Sequence, residues 1–235
     1  MTQKPQHFKV YVRRFKRYNN IKYFNCMTDA LKNQQFSLYL QPQINIVTNE
    51  IVGAEVLVRW QHPKKGLLTP QYFIEQFEEN GFITKLDLFV FEEACQLLHK
   101  WKQTGSKLIP LAVNVSRIDL QSPIFITQIF EILEKYKLEP SNINLEITET
   151  AYVNAHNKIS IGMQLLHNKG FSIHLDDFGS GYAGLNMLHN THIDALKIDM
   201  GFVADCHTSS HSQNVLAGIV RMARWLKLKI IIEGV

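Results

Sequence analysis

Seven short apolar stretches, beginning near residues 35, 51, 108, 142, 171, 193 and 228, alternate with segments of helical periodicity, and no polar linker divides them. Repeated strand–helix units place successive strands in parallel and cover the sheet with helices, so this rhythm predicts an α/β fold with a mostly parallel sheet. Two architectures bury such units, an open doubly wound sheet and a closed barrel. A barrel wants eight strands, and this reading stops at seven. The stretch IVGAEVLVRW (51–60) is the firmest strand, and its alternation sets Glu55, Leu57 and Arg59 on one face. Strands are also predicted over 35–42, 108–116, 142–150, 171–177, 193–199 and 228–234. Helices are predicted over 24–32, 70–79, 84–102, 125–137, 155–168 and 211–226. A polar loop is expected over 61–69, and Asn80-Gly81 breaks one helix from the next.

Composition narrows the class. The chain has 235 residues, 46% of them hydrophobic and 20% charged, which is enough to bury a sizeable core. No apolar run approaches the roughly 18 residues needed to cross a bilayer. The opening MTQKPQHFKVYVRRFKRYNN lacks the apolar core of a signal peptide, because Arg13, Arg14, Lys16 and Arg17 interrupt it. Three scattered cysteines, Cys26, Cys95 and Cys206, suit a reducing compartment and not a disulfide framework. The expected location is the cytoplasm, either free or as the cytoplasmic part of a larger membrane protein. Seven basic residues precede the first acid, Asp29; without them the body holds 18 basic against 21 acidic residues. Residues 1–23 therefore read as a basic arm or linker and 24–235 as one domain. The arm hints at an upstream membrane or sensor region. Duplex DNA or RNA is not an expected partner.

The chemistry sits where the strands end. Gln41 ends the first strand; Glu55 and Arg59 lie on the second; Asn114 ends the third. Glu146 and Glu149 belong to the fourth, Asp176 and Asp177 to the fifth, Lys197 to the sixth and Glu233 to the seventh. In a barrel, strand-end residues from different strands meet at one mouth. Carboxylates gathered there repel one another and stay ionised together only around positive charge. Oxygen ligands without His or Cys partners favour Mg²⁺ or Mn²⁺ over Zn²⁺. Two such ions about 4 Å apart suit phosphodiester cleavage. Each element also has a plainer reading. Asp176-Asp177 fits a helix cap, Glu146 the wet face of an edge strand, and Lys197 a core ion pair with Asp199. Gly179, Gly181 and Gly184 match the G-x-G-x-x-G fingerprint of dinucleotide sites, with Asp199 as the ribose acid. That reading sets two carboxylates before a pyrophosphate and leaves Glu55, Asn114 and Glu146 without a purpose.

The pieces GAEVLVRWQHPKKGLLTP (53–70), NVS (114–116), LEITET (145–150), DDFGSGYAGL (176–185), LKIDMGFV (196–203) and IIEGV (231–235) resemble, in order, those of the EAL-domain family, the bacterial cyclic di-GMP phosphodiesterases. The resemblance implies a TIM-barrel-like (β/α)₈ fold with its first strand antiparallel. It implies two Mg²⁺ or Mn²⁺ ions, inhibition by Ca²⁺, and opening of cyclic di-GMP to linear pGpG. Glu55, Asn114, Glu146 and Asp176 resemble the primary metal ligands, and Asp177 a ligand of the second ion. Lys197 resembles the lysine that positions water or phosphate, Glu233 the metal-site glutamate, and Glu149 the anchor of the loop 177–184. Gln41 and Arg59 resemble substrate contacts. The signature triplet reads Glu-Val-Leu, with Val56 directed away from the mouth, and Ser180 replaces a threonine. The family's E-G-V-E-T stretch stops at Val235. The expectation is a barrel lacking its final helix, closing strand and late glutamine, with open edges and reduced stability. A catalytically inactive module that binds cyclic di-GMP or a protein is the alternative function. A homodimer, common in the family, is left open.

Overall fold

The computed structural model describes residues 27–149, 156–179, 184–199, 201, 203 and 209–233. The basic arm, Cys26, Cys206, Ser180, Gly181 and Val235 lie outside the described residues. All seven expected strands are present: β1 (Phe36–Asn45), β2 (Glu50–His62), β4 (Leu111–Asn114), β5 (Ile143–Thr148), β6 (Ser172–Phe178), β7 (Ala195–Ile198) and β8 (Lys229–Ile232). A short eighth, β3 (Gly66–Leu68), falls inside the segment expected to be a loop. The sheet order is β1-β2-β4-β5-β6-β7-β8, with β3 paired to β2. Each neighbouring pair from β2 and β4 through β8 is parallel. β1 and β2 are neighbours joined by only residues 46–49, too few for a parallel crossover, so β1 runs antiparallel.

The β3 correction has a local cause. β2 continues to His62, whose Nδ1 accepts hydrogen bonds from the Lys64 and Lys65 amides at 3.1 and 3.2 Å. Gly66, at φ 74°, then turns the chain back so that Trp60 faces Leu68. The other differences are small. The helix expected over 70–79 is a 3-10 turn, Pro70–Tyr72, followed by helix Ile74–Asn80. Gly81 closes that helix in the left-handed region at φ 76°. A one-turn helix, Arg117–Leu120, starts on a Ser116 cap and was not anticipated.

The described residues pack as two units, one containing 27–39 and Val58–Leu86, the other Leu40–Leu57 and the described residues from Asp87 onward. The first is an aromatic cluster. Phe36, Trp60, Phe73, Phe77 and Phe82 are all buried and make ring contacts with centroids 5.0–6.2 Å apart. The Trp60 indole nitrogen donates to Gln35 Oε1 at 3.0 Å, so its one polar atom is satisfied. The second unit carries the parallel strands. Leu111, Val113, Ile143, Leu145, Ile147, Ile173, Leu175, Leu196 and Ile198 are buried, as are Phe91, Leu98, Ile129, Leu133, Met163 and Leu166 of its helices. Strands this continuously apolar belong to sheets covered on both faces. Polar residues within them are therefore conspicuous. No helix among the described residues is long and apolar enough to cross a membrane.

Candidate active site

The second unit brings four of the expected residues onto one lysine, itself expected. Lys197, on β7 and 1% exposed, is the hub. Its Nζ lies 2.9 Å from Glu55 Oε2, 2.9 Å from Glu146 Oε2, 3.1 Å from Asp176 Oδ1 and 2.8 Å from Glu233 Oε1. Glu55 comes from β2, Glu146 from β5, Asp176 from β6, and Glu233 from the residue after β8. Asn114 joins from the end of β4 by donating its side-chain amide to Glu55 Oε1 at 3.4 Å. The plainer reading of Lys197 as a partner of Asp199 does not hold. Asp199 instead accepts the Gly201 amide at 2.7 Å.

Four carboxylates share one ammonium, so the cluster is over-supplied with negative charge. Burial lowers the proton affinity of Lys197, but Glu146, Asp176 and Glu55 outweigh it and hold the lysine charged. The carboxylates respond oppositely. Burial, with the charge of Glu146, pushes Glu55 up to about 7 against the pull of Lys197. Burial pushes Glu146 up to about 7, again opposed by Lys197 and supported by Asp176 and Glu233. Asp177, half-buried beside Asp176, is pushed up to about 6 by burial and by its acidic neighbours.

Asp177 has a geometric reason to stand apart. The β6–β7 register shifts between Leu175 and Phe178, and Asp177 sits there at φ 54°. Its amide donates to Asp176 Oδ1 at 2.9 Å. Bulges of this kind re-aim side chains beside functional sites, and a non-glycine residue at positive φ carries a local cost. Glu149, buried beyond β5, brackets the next segment. Its Oε2 accepts the Gly179 amide at 3.1 Å and its Oε1 the Gly184 amide at 2.8 Å. A side chain on Gly184 would meet Phe178 at 2.6 Å, so glycine is required for this approach. Gln41 is exposed on β1. Arg59, half-buried on β2, donates Nη1 to Val58 O at 2.9 Å and lies 5.7 Å from the Tyr39 ring centre. Val56 is buried among the residues that alternate with Glu55, as expected for a side chain turned from the cluster.

Glu55, Glu146 and Asp176 each offer an oxygen within 4.8 Å of the other two, an acidic group able to hold a metal ion. The donor set is all oxygen, its charge exceeds that of its one counter-ion, and Glu146 Oε1 is buried with no hydrogen-bond partner. A hard divalent cation fits those three properties. The sequence reading overlooked one neighbour, His174. It is buried on β6, two residues before Asp176 and hence on the same strand face, and that alternation was the available signal. Burial pushes its ring down to about 4, so it is neutral at pH 7.

Comparison with known proteins agrees with this geometry. The chain is 32% identical over 209 residues to the bifunctional diguanylate cyclase/cyclic di-GMP phosphodiesterase MucR of Pseudomonas aeruginosa, covering 89% of this chain and 30% of that protein. It is 36% identical over 206 residues to the cyclic di-GMP phosphodiesterase PdeR of Escherichia coli, covering 88% and 31%. The chain thus spans about a third of the length of these curated relatives. Among solved structures, a PaMucR phosphodiesterase in complex with c-di-GMP superposes with a TM-score of 0.84 at 32% identity, covering 91% of this chain and 87% of that one. The EAL enzyme Bd1971, bound to cAMP and cyclic di-GMP, gives 0.85 at 26% identity, covering 97% and 65%. The EAL domain profile matches residues 25–235. With its parallel β2 and β4–β8, antiparallel first strand and strand-borne acids, the chain belongs to the EAL domain family and has the α/β, TIM-barrel-like fold of that type.

Proposed function

We propose that residues 24–235 act as one EAL domain that hydrolyses cyclic di-GMP to linear pGpG with two Mg²⁺ or Mn²⁺ ions. The observation that carries this reading is the meeting of Glu55, Glu146, Asp176 and Glu233 on the buried Lys197 ammonium. The relatives named cyclic di-GMP phosphodiesterases support the substrate. Glu55, Asn114, Glu146 and Asp176 would hold one ion, with Asp177 serving the second. When bound, such ions supply Lewis-acid polarisation of a phosphodiester and ready a water at neutral pH.

The chain's own residues supply the rest. Water adds across one P–O3′ bond: its oxygen goes to phosphorus, one proton leaves on the 3′ hydroxyl, and the other is released from the new 5′ phosphate. Lys197 stays protonated among the carboxylates; they take up all three of its N–H donors, so one turns to a water or phosphate oxygen only as a carboxylate lets go. Glu233 holds that ammonium in place at 2.8 Å. Glu149 fixes both flanks of the segment 180–183 through the Gly179 and Gly184 amides. Arg59 and Gln41 are assigned to the substrate, Arg59 to a phosphate through its forked guanidinium.

The test is incubation of the purified chain with cyclic di-GMP and Mg²⁺ or Mn²⁺, with products separated by chromatography. Metal-dependent appearance of pGpG, abolished by EDTA, is the expected result. Binding of cyclic di-GMP without turnover by a folded, metal-loaded sample would replace the enzyme with a binding module.

A further inference from the structure

Among the described residues, the buried side-chain nitrogen and oxygen atoms that lack a hydrogen-bond partner are confined to Glu146, Ser172 and His174. They are Glu146 Oε1, Ser172 Oγ and both ring nitrogens of His174. Glu146 and His174 are directly opposite each other on β5 and β6, so their side chains share a sheet face. His174 Nδ1 stands 3.8 Å from Glu146 Oε1. That gap is too wide for a hydrogen bond and too narrow to admit a water between the two atoms. A small rotation of either group closes it, and both atoms are otherwise unpaired. Glu146 has a second reason to need this partner. Its Oε2 already meets Lys197 at 2.9 Å, while nothing fixes Oε1, and the terminal torsion of a glutamate is soft. The ring is outside the group of oxygens that lie mutually within 4.8 Å, so it bears on the cluster through Glu146 and not as a ligand itself.

We propose that His174 is a positioning residue for Glu146: Nδ1–H donates to Oε1, fixes the carboxylate plane and leaves Oε2 aimed into the cluster. The inference rests on the cation site proposed above, since an oriented carboxylate matters most to an ion it must bind. Partners of this kind commonly set ligand orientation, and their loss weakens metal binding about 10–100-fold.

Two variants and one spectrum test it. His174→Asn keeps an N–H near the Nδ1 position, and His174→Leu fills the space without a donor. In the metal-free wild type labelled with ¹⁵N-histidine, the ring should be the Nδ1–H tautomer, its signals assigned by their absence from either variant. Mn²⁺ titrated by calorimetry without substrate should bind His174→Leu about 10–100-fold more weakly, with His174→Asn restoring most of the loss. Equal Mn²⁺ affinity in the wild type and His174→Leu, equal loss in both variants, or an Nε2–H tautomer would overturn the inference. A wild type that takes up no Mn²⁺ would overturn the cation site itself, and the tautomer would then decide the Glu146 contact alone.

Discussion

Trp60 and four phenylalanines make contacts with ring centres 5.0–6.2 Å apart; around Lys197, four carboxylates approach one ammonium at 2.8–3.1 Å. Both clusters are largely buried, and each lies within one unit. The aromatic cluster has no charge to satisfy, and its one indole nitrogen has a partner, so burial and ring contacts are nearly pure gain. The Lys197 cluster concentrates like charges in a poorly solvated place, and Glu55 and Glu146 respond by holding protons up to about 7. A fold can keep such a cluster because apolar packing elsewhere outweighs its repulsion. What the repulsion provides is a standing attraction for a cation.

The largest expected effect separates activity from stability. Glu55→Ala and Asp176→Ala should each lower turnover of cyclic di-GMP by on the order of 10³-fold, while unfolding midpoints stay level or rise because a repelling charge has gone. Near-normal turnover of either variant in Mg²⁺ would break the comparison at its acidic end. The mirror experiment is Phe77→Ala, which removes a fully buried ring and should cost about 3–5 kcal/mol in urea unfolding. A loss no greater than that of a surface substitution would break it at the aromatic end.

A smaller effect follows from the raised carboxylates. Glu55 and Glu146 are protonated in the folded, metal-free chain up to about 7 but would ionise near 4.5 when unfolded. The unfolded state therefore releases these protons first, and the stability these two groups contribute is full below about pH 4.5 and is lost as pH rises to 7. His174, held down to about 4, offsets part of that loss below about 6.5, where the unfolded chain takes up its proton first. The expected decline between pH 5 and 8 is about 1–3 kcal/mol, read as a drop in Tm. Mn²⁺ should raise Tm more at pH 8 than at pH 5, because protons compete for the same oxygens. A flat pH profile without metal would remove the electrostatic half of the comparison. The smallest expected effect is Val56→Ala. It should cost about 1–2 kcal/mol of packing and leave turnover per folded molecule unchanged, since Val56 belongs to the buried face and not to the cluster.

The acidic cluster was legible in the sequence because a carboxylate or ammonium is costly inside an apolar strand unless something there answers it. Glu55 between Ala54 and Val56, and Lys197 between Leu196 and Ile198, announce themselves that way. The partners were not equally legible. Asp199 lies two residues from Lys197 and was the plain local candidate, yet the four acids that hold the lysine come from four other segments. β3 left no periodic trace, because three residues cannot show one; its existence depends on His62 and Gly66 turning the chain back. The helix Arg117–Leu120 hid for the same reason, with only the Ser116 cap to mark it. His174 was missed because a histidine has many ordinary roles. Its significance came from the register that sets it opposite Glu146 and from the absence of any partner for its nitrogens.

The most direct test of the central claim is diffraction from crystals grown with Mn²⁺ and cyclic di-GMP, read at the manganese absorption edge. The account predicts an anomalous peak bonded to Glu55, Glu146 and Asp176 at about 2.2 Å, with Lys197 displaced from some of its present contacts. Lys197 still holding all four carboxylates at 2.8–3.1 Å, with manganese elsewhere or absent, would contradict it.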